Sequence, residues 1–183
     1  MFPNNHIAKI AAVAATTAPA LAFAQSANTI TFQGEVSTQT CSVSINGNAA
    51  NPRVLLQTVP TTQLEAPGST AGLTTFTIDV TGCTAASSAT PIKTVFVGNQ
   101  VDAGGNLGNT GSAVGVALQL LDPTSPSKPF ILPSSAGYAA TGLTLAANAT
   151  SATHNFAVRY YSALGHPTPG SVRGSVQYAI SYQ

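Results

Sequence analysis

Along most of the chain, apolar and polar residues alternate with a period of two. In residues 29–37, Ile30, Phe32, Gly34 and Val36 share one face, and Thr29, Thr31, Gln33, Glu35 and Ser37 share the other. The same alternation runs through residues 73–81, where Phe76, Ile78 and Val80 oppose Thr75, Thr77, Asp79 and Thr81. It recurs in residues 114–121 (Val114, Val116, Leu118, Leu120) and in residues 154–161 (Phe156, Val158, Tyr160). The most regular stretch is residues 172–182, with Val172, Gly174, Val176, Tyr178, Ile180 and Tyr182 on one side. Side chains of a β-strand point alternately to its two faces, so each stretch predicts a half-buried strand. Residues 41–45, 53–58 and 92–98 add shorter strands, and 130–132 and 143–145 are brief apolar pieces.

Turn residues separate these stretches. Pro60, Pro67 and Gly68 mark one loop, and residues 101–112 hold four Gly and two Asn. Asp122-Pro123 stops a strand, and residues 165–170 read Gly-His-Pro-Thr-Pro-Gly. Pro and Gly break ladders through their fixed or permissive φ. With helical periodicity scarce, the pattern predicts an all-β sandwich. Its two ends pose a question. By default the strand at 29–37 packs on its own domain. The best strand, however, is the last one, and an edge strand with bare backbone groups and a long apolar face invites a partner strand.

Composition narrows the picture. A chain of 183 residues with 44% hydrophobic residues suffices for one domain with a sizeable core. Charged residues are only 6%, against about 25% in an average soluble domain. Such a surface is covered by Thr, Ser, Asn, Gln and Ala, and copies of it repel one another little. The N-terminus has the form of a secretory signal: Lys9 with His6 nearby, an Ala-rich apolar run over residues 10–21, and the small-x-small site Ala22-Phe23-Ala24. Cleavage after Ala24 makes Gln25 the mature N-terminus. The remaining chain carries five basic and five acidic residues, dispersed rather than clustered, which argues against nucleic-acid binding. No stretch approaches the ~18 consecutive apolar residues of a membrane span. In an exported chain, the only two cysteines, Cys41 and Cys83, are expected to form one disulfide. Closing a loop of about 40 residues stabilises the fold by roughly 4 kcal/mol in the chain-entropy model. A metal site needs more ligands than this spacing offers.

Catalytic patterns are lacking. There is no Gly-x-Ser-x-Gly elbow, no phosphate loop and no carboxylate pair, and His154 and His166 have no acidic neighbour in sequence. No catalytic residue, metal ligand or cofactor is therefore expected. Asn148-Ala149-Thr150 matches a glycosylation sequon, a pattern short enough to arise by chance. Tyr138, Tyr160 and Tyr161 offer contacts for an alternative reading, a self-sufficient secreted sandwich that binds carbohydrate or protein. A secreted hydrolase is a third reading, without a constellation to support it.

Five features together resemble the structural pilins of the chaperone–usher class, the type 1 fimbrial subunit family. Gly34-Glu35-Val36 precedes Cys41-Ser42-Val43, and Phe76-Thr77-Ile78-Asp79-Val80-Thr81-Gly82-Cys83 is similar to that family's strand ending in the second cysteine. Residues 114–122 resemble its Val-Gly-Val…Leu-Asp strand, and residues 156–161 its aromatic Arg-Tyr strand. Gly170 is the fourteenth residue from the C-terminus and Tyr182 is penultimate, similar to the family's chaperone-recognition signature. The resemblance implies an incomplete immunoglobulin-like β-sandwich, missing its seventh strand, with an N-terminal donor-strand extension. It divides the chain into a signal peptide (1–24), the extension (25–37) and a pilin domain (38–183). It implies a structural subunit of an adhesive fimbria, exported through the periplasm to the cell surface. Its partners would be a periplasmic chaperone, an outer-membrane usher and neighbouring subunits. Ile30, Phe32, Gly34 and Val36 would be the donated face, and Gly170, Val172, Val176, Tyr178, Ile180 and Tyr182 the recognition strand beside the groove. Nine residues would precede Gly34 in the mature chain, fewer than in typical major subunits, and no separate receptor-binding domain fits before the pilin portion.

Overall fold

The computed structural model of the chain describes residues 36–39, 41–132 and 137–182. Its elements in chain order are β1 (Ser42–Ile45), β2 (Ser69–Thr81), β3 (Thr90–Gly98), β4 (Leu107–Gly108), β5 (Ala117–Leu121), β6 (Tyr138–Leu145), β7 (Ser151–Ser162) and β8 (Val176–Tyr182). One 3₁₀ turn, Thr61–Leu64, precedes β2 and buries Leu64. The strands form a five-stranded sheet, β1-β2-β7-β5-β4, and a three-stranded sheet, β6-β3-β8. Every pairing is antiparallel.

The alternating residues form the core between the sheets. Ile78 and Val80 of β2, Ile92 and Phe96 of β3, Leu143 and Leu145 of β6 and Phe156 of β7 are all essentially inaccessible. Phe96 meets Phe156 edge-on at 5.2 Å, and Phe130 stacks on Tyr138 at 4.4 Å, arrangements favoured by the ring quadrupoles. The disulfide between Cys41 and Cys83 joins the entry to β1 to the end of β2. β1 then turns back through Asn46-Gly47, both at positive φ, where Asn and Gly are the residues that tolerate such a turn.

Four segments depart from the periodicity. Residues 172–175 of the expected 172–182 strand lie outside β8, because this stretch is held by residues 109–113 instead. Residues 114–116 are outside β5, because Gly115 takes a positive φ and turns Val114 into solvent. Residues 138–142, with no apolar pattern, open β6, which runs eight residues rather than the three of the 143–145 piece. Residues 53–58 are extended but join no ladder.

Candidate functional site

The sandwich is open along one side. A groove of about 740 Å³ runs between residues 53–56 and residues 172–178. Its floor comes from both sheets: Phe76, Leu118, Leu120, Val158 and Tyr160 from one, and Phe96 from the other. The groove therefore opens directly onto the hydrophobic core.

Each side of the groove carries backbone groups that have no backbone partner among the described residues. On one side, residues 51–59 make no backbone–backbone hydrogen bond to any described residue. What fastens them is one side chain and apolar contact. Tyr160 Oη donates to Gln57 O at 3.0 Å, and Val54, Leu56 and Val59 pack on the core. Burial pushes the Tyr160 hydroxyl up from its ordinary value, which keeps the proton that this bond requires. The Tyr160 ring has room because Gly72 lies opposite, at φ +64°; a Cβ there would be 2.8 Å from Tyr160 Cδ2.

On the other side, β8 pairs with β3 from Ile92↔Tyr182 to Gly98↔Val176 and is the edge of its sheet. Just before β8, residues 171–175 are fastened to residues 109–113. Thr110 N donates to Arg173 O at 2.8 Å, Ala113 N to Ser171 O at 3.0 Å, and Arg173 N to Asn109 Oδ1 at 2.8 Å. Val172 and Gly174, which alternate with these residues, make no backbone hydrogen bond to any described residue. Strand alternation turns their donors and acceptors away from residues 109–113. Two backbone edges without partners among the described residues, flanking an apolar floor, match what an added β-strand needs: main-chain partners on both sides and pockets for alternate side chains.

The residues expected from the sequence fall unevenly. Val172, Val176 and Tyr178 line the groove. Ile180 and Tyr182 continue the same face of β8, half-buried against the core. Gly170 lies before the groove lining, packed so closely on Ser112 and Ala113 that a Cβ would be 2.5 Å from Ala113 N. Of the N-terminal set, Val36 is fully exposed, and Ile30, Phe32 and Gly34 lie outside the described residues. The 53–56 wall had no marker in the sequence beyond a short apolar alternation. Its functional partner is 120 residues away, a relation that pattern alone does not carry.

Several other polar side chains are engaged within the domain. His154 Nε2 is 3.2 Å from Asp122 Oδ2, and its ring stands edge-on to Phe156 at 4.7 Å. Burial pushes the Asp122 carboxyl up, but bonds from Thr124 Oγ1 and N and from His154 outweigh it and hold it below its ordinary value. His166, on an exposed turn, bonds Glu65 through Nδ1. The fold thus supplies both histidines with carboxylates that are distant in sequence. On the reverse face of β5 and β7, Arg159 Nε donates to Gln119 Oε1 at 2.9 Å, and Gln119 Nε2 to Asn106 Oδ1 at 3.1 Å. Tyr138 and Tyr160 spend their rings inside the molecule rather than on a binding platform. Among the described residues, no cluster of three or more His, Cys, Asp or Glu could hold a metal, and no helix is long and apolar enough to cross a membrane.

Comparison with known proteins agrees with this geometry. Residues 30–183 match the family described as Fimbrial protein. The F17 fimbrial protein of Escherichia coli is 38% identical over 160 residues, covering 84% of this chain and 86% of the relative. The major fimbrial subunit SMF-1 of Stenotrophomonas maltophilia is also 38% identical over 160 residues, covering 84% and 91%. Among solved structures, the P pilus rod subunit PapA superposes with a TM-score of 0.56 at 17% identity, covering 78% of this chain and 99% of that one. The chain belongs to the fimbrial protein family and has the immunoglobulin-like pilin fold. It is a structural subunit of a pilus and not an enzyme.

Proposed function

We propose that this fimbrial protein polymerises by strand donation, residues 25–37 of one copy filling the groove of the next. The observation that carries the reading is the groove itself, apolar at its floor and bordered on both sides by backbone with no partner among the described residues. The chain's own N-terminal stretch has the complementary form, with Ile30, Phe32, Gly34 and Val36 on one face. Burying Ile30, Phe32 and Val36 contributes roughly 1.5–3 kcal/mol each before ordering costs. Gly34 marks the position where the strand tolerates no bulk. Because the contact is heterologous, head to tail, the assembly is an open fibre rather than a closed ring.

Before assembly, an open groove exposes core residues and a sheet edge, a hazard for aggregation. A periplasmic chaperone that lends a strand along Val172, Val176, Tyr178, Ile180 and Tyr182 meets this need, with handover at an outer-membrane usher. The mature product is a surface fimbrium. Deleting residues 25–37 tests the reading: the truncated subunit should still co-purify with its chaperone and show no filaments by electron microscopy. Filaments of normal length from the truncated subunit would sink strand donation.

A further inference from the structure

The next inference rests on the strand-donation reading and concerns what aligns the incoming strand. Charge is scarce in this chain, so its placement is informative. After residue 24 there are five carboxylates. Four lie in the described domain, and each has a partner there: Glu65 with His166, Asp79 with the Thr77 and Thr153 hydroxyls, Asp102 with the Asn106 amide, and Asp122 with His154. The fifth is Glu35, on the polar face of the donated stretch, next to Val36.

Two cations line the groove, one on each side. Arg53 belongs to the loosely held segment and Arg173 to the segment leading into β8. Neither guanidinium makes a hydrogen bond or ion pair to any described residue. Both side chains are exposed, whereas their neighbours Pro52, Val54, Val172 and Gly174 are half-buried. Alternation therefore places both guanidinium groups on the outer side of the groove walls. A strand laid between the walls with Gly34 and Val36 inward turns Glu35 outward, into the same layer. Opposite charges on one face of adjacent strands attract, and like charges repel.

We propose that Glu35 of one copy seats between Arg53 and Arg173 of the next, and that this contact acts with Gly34 to fix the register of the donated strand. Apolar alternation alone defines register weakly here. A slip of two residues keeps the apolar side chains facing inward, but it brings Phe32 or Val36 to the position of Gly34 and takes Glu35 away from the arginines. The glycine and the charge contact therefore oppose such a slip together. The same pairing attracts the N-terminal stretch to the groove before contact, so it acts on the rate of assembly and on its sensitivity to salt.

The test uses the mature chain, residues 25–183, with polymer growth followed by light scattering and electron microscopy. Glu35→Arg is expected to slow growth about tenfold at low salt, and Glu35→Gln less. Arg53→Glu with Arg173→Glu is expected to slow growth similarly, and combining all three reversals should restore it to within about twofold of the parent. Near 1 M salt the differences should shrink, as screening confines charge effects to a few ångströms. Growth of Glu35→Arg at the parental rate would overturn the proposal, as would failure of the triple reversal to recover while its circular dichroism is unchanged. On the strand-donation reading Glu35 belongs to the donated stretch and not to the pilin domain (38–183), so its variants report on pairing even where the arginine variants fold poorly. Phe32→Asp separates the two levels of inference. Polymerisation of that variant would overturn strand donation, whereas its arrest together with full growth of Glu35→Arg would overturn the charge contact alone.

Discussion

β3 and β8 are neighbours in one sheet and read alike in sequence, yet they have opposite environments. The inward residues of β3, Ile92, Thr94, Phe96 and Gly98, are all buried. Those of β8, Val176, Tyr178, Ile180 and Tyr182, are only half-buried, although β8 belongs to the more regular alternation. β3 is flanked by β6 and β8, whereas β8 has β3 on one side and the groove on the other. Alternation thus records which face of a strand requires covering, and not which molecule covers it. In β3 the cover is intramolecular. In a subunit that accepts a strand, the cover for β8 arrives from outside.

The same substitution on the two strands gives the sharpest test. Ile92→Ala removes fully buried methyl groups and should lower the subunit's stability by about 2–5 kcal/mol in urea unfolding. Ile180→Ala should cost about 1 kcal/mol in the isolated subunit, with a larger loss in the dissociation resistance of the polymer. Equal costs at both positions in the isolated subunit would dissolve the contrast between the strands.

The two groove walls can be compared in the same way. Tyr160→Phe deletes the one hydrogen bond that holds residues 51–59 among the described residues and should destabilise by about 1 kcal/mol, with faster amide exchange confined to that segment. Six residues back along β7, His154 and Asp122 give the smallest effect, and it depends on pH. The folded Asp122 value lies below the ordinary 3.8, so its contribution is complete above that value and is lost as pH falls through the folded one. Asp122→Asn should therefore lower the urea midpoint at pH 7, and the gap to the parent should close near pH 2.

Much of this was legible in the chain. Strong alternation located β2, β7 and, from residue 176 on, β8, because an antiparallel sandwich with one solvated face imposes that period directly; β3 was found as a short apolar stretch. The disulfide followed from export and cysteine count. Residues 138–142 were illegible because Ala139, Ala140 and Gly142 carry no pattern, and residues 114–116 because Gly115 turns the backbone to positive φ. Segment 53–58 shows a deeper limit: a laddered strand and an unpaired extended wall share one periodicity and differ only in their neighbours. Partners such as Asp122 for His154 and Glu65 for His166 were hidden because folding, not spacing, brings them together.

The Cys41–Cys83 bridge has a mechanical consequence. In a fibre built by strand donation, tension enters each subunit through the N-terminal stretch and reaches Cys41 first. Without the bridge it would peel β1, a four-residue edge strand. The disulfide instead delivers the pull to the end of β2, which spans thirteen residues in the sheet interior and pairs with β7 along most of its length. The load is then shared between β1 and a strand paired along most of thirteen residues, so a single covalent link replaces a four-residue attachment with a much longer one.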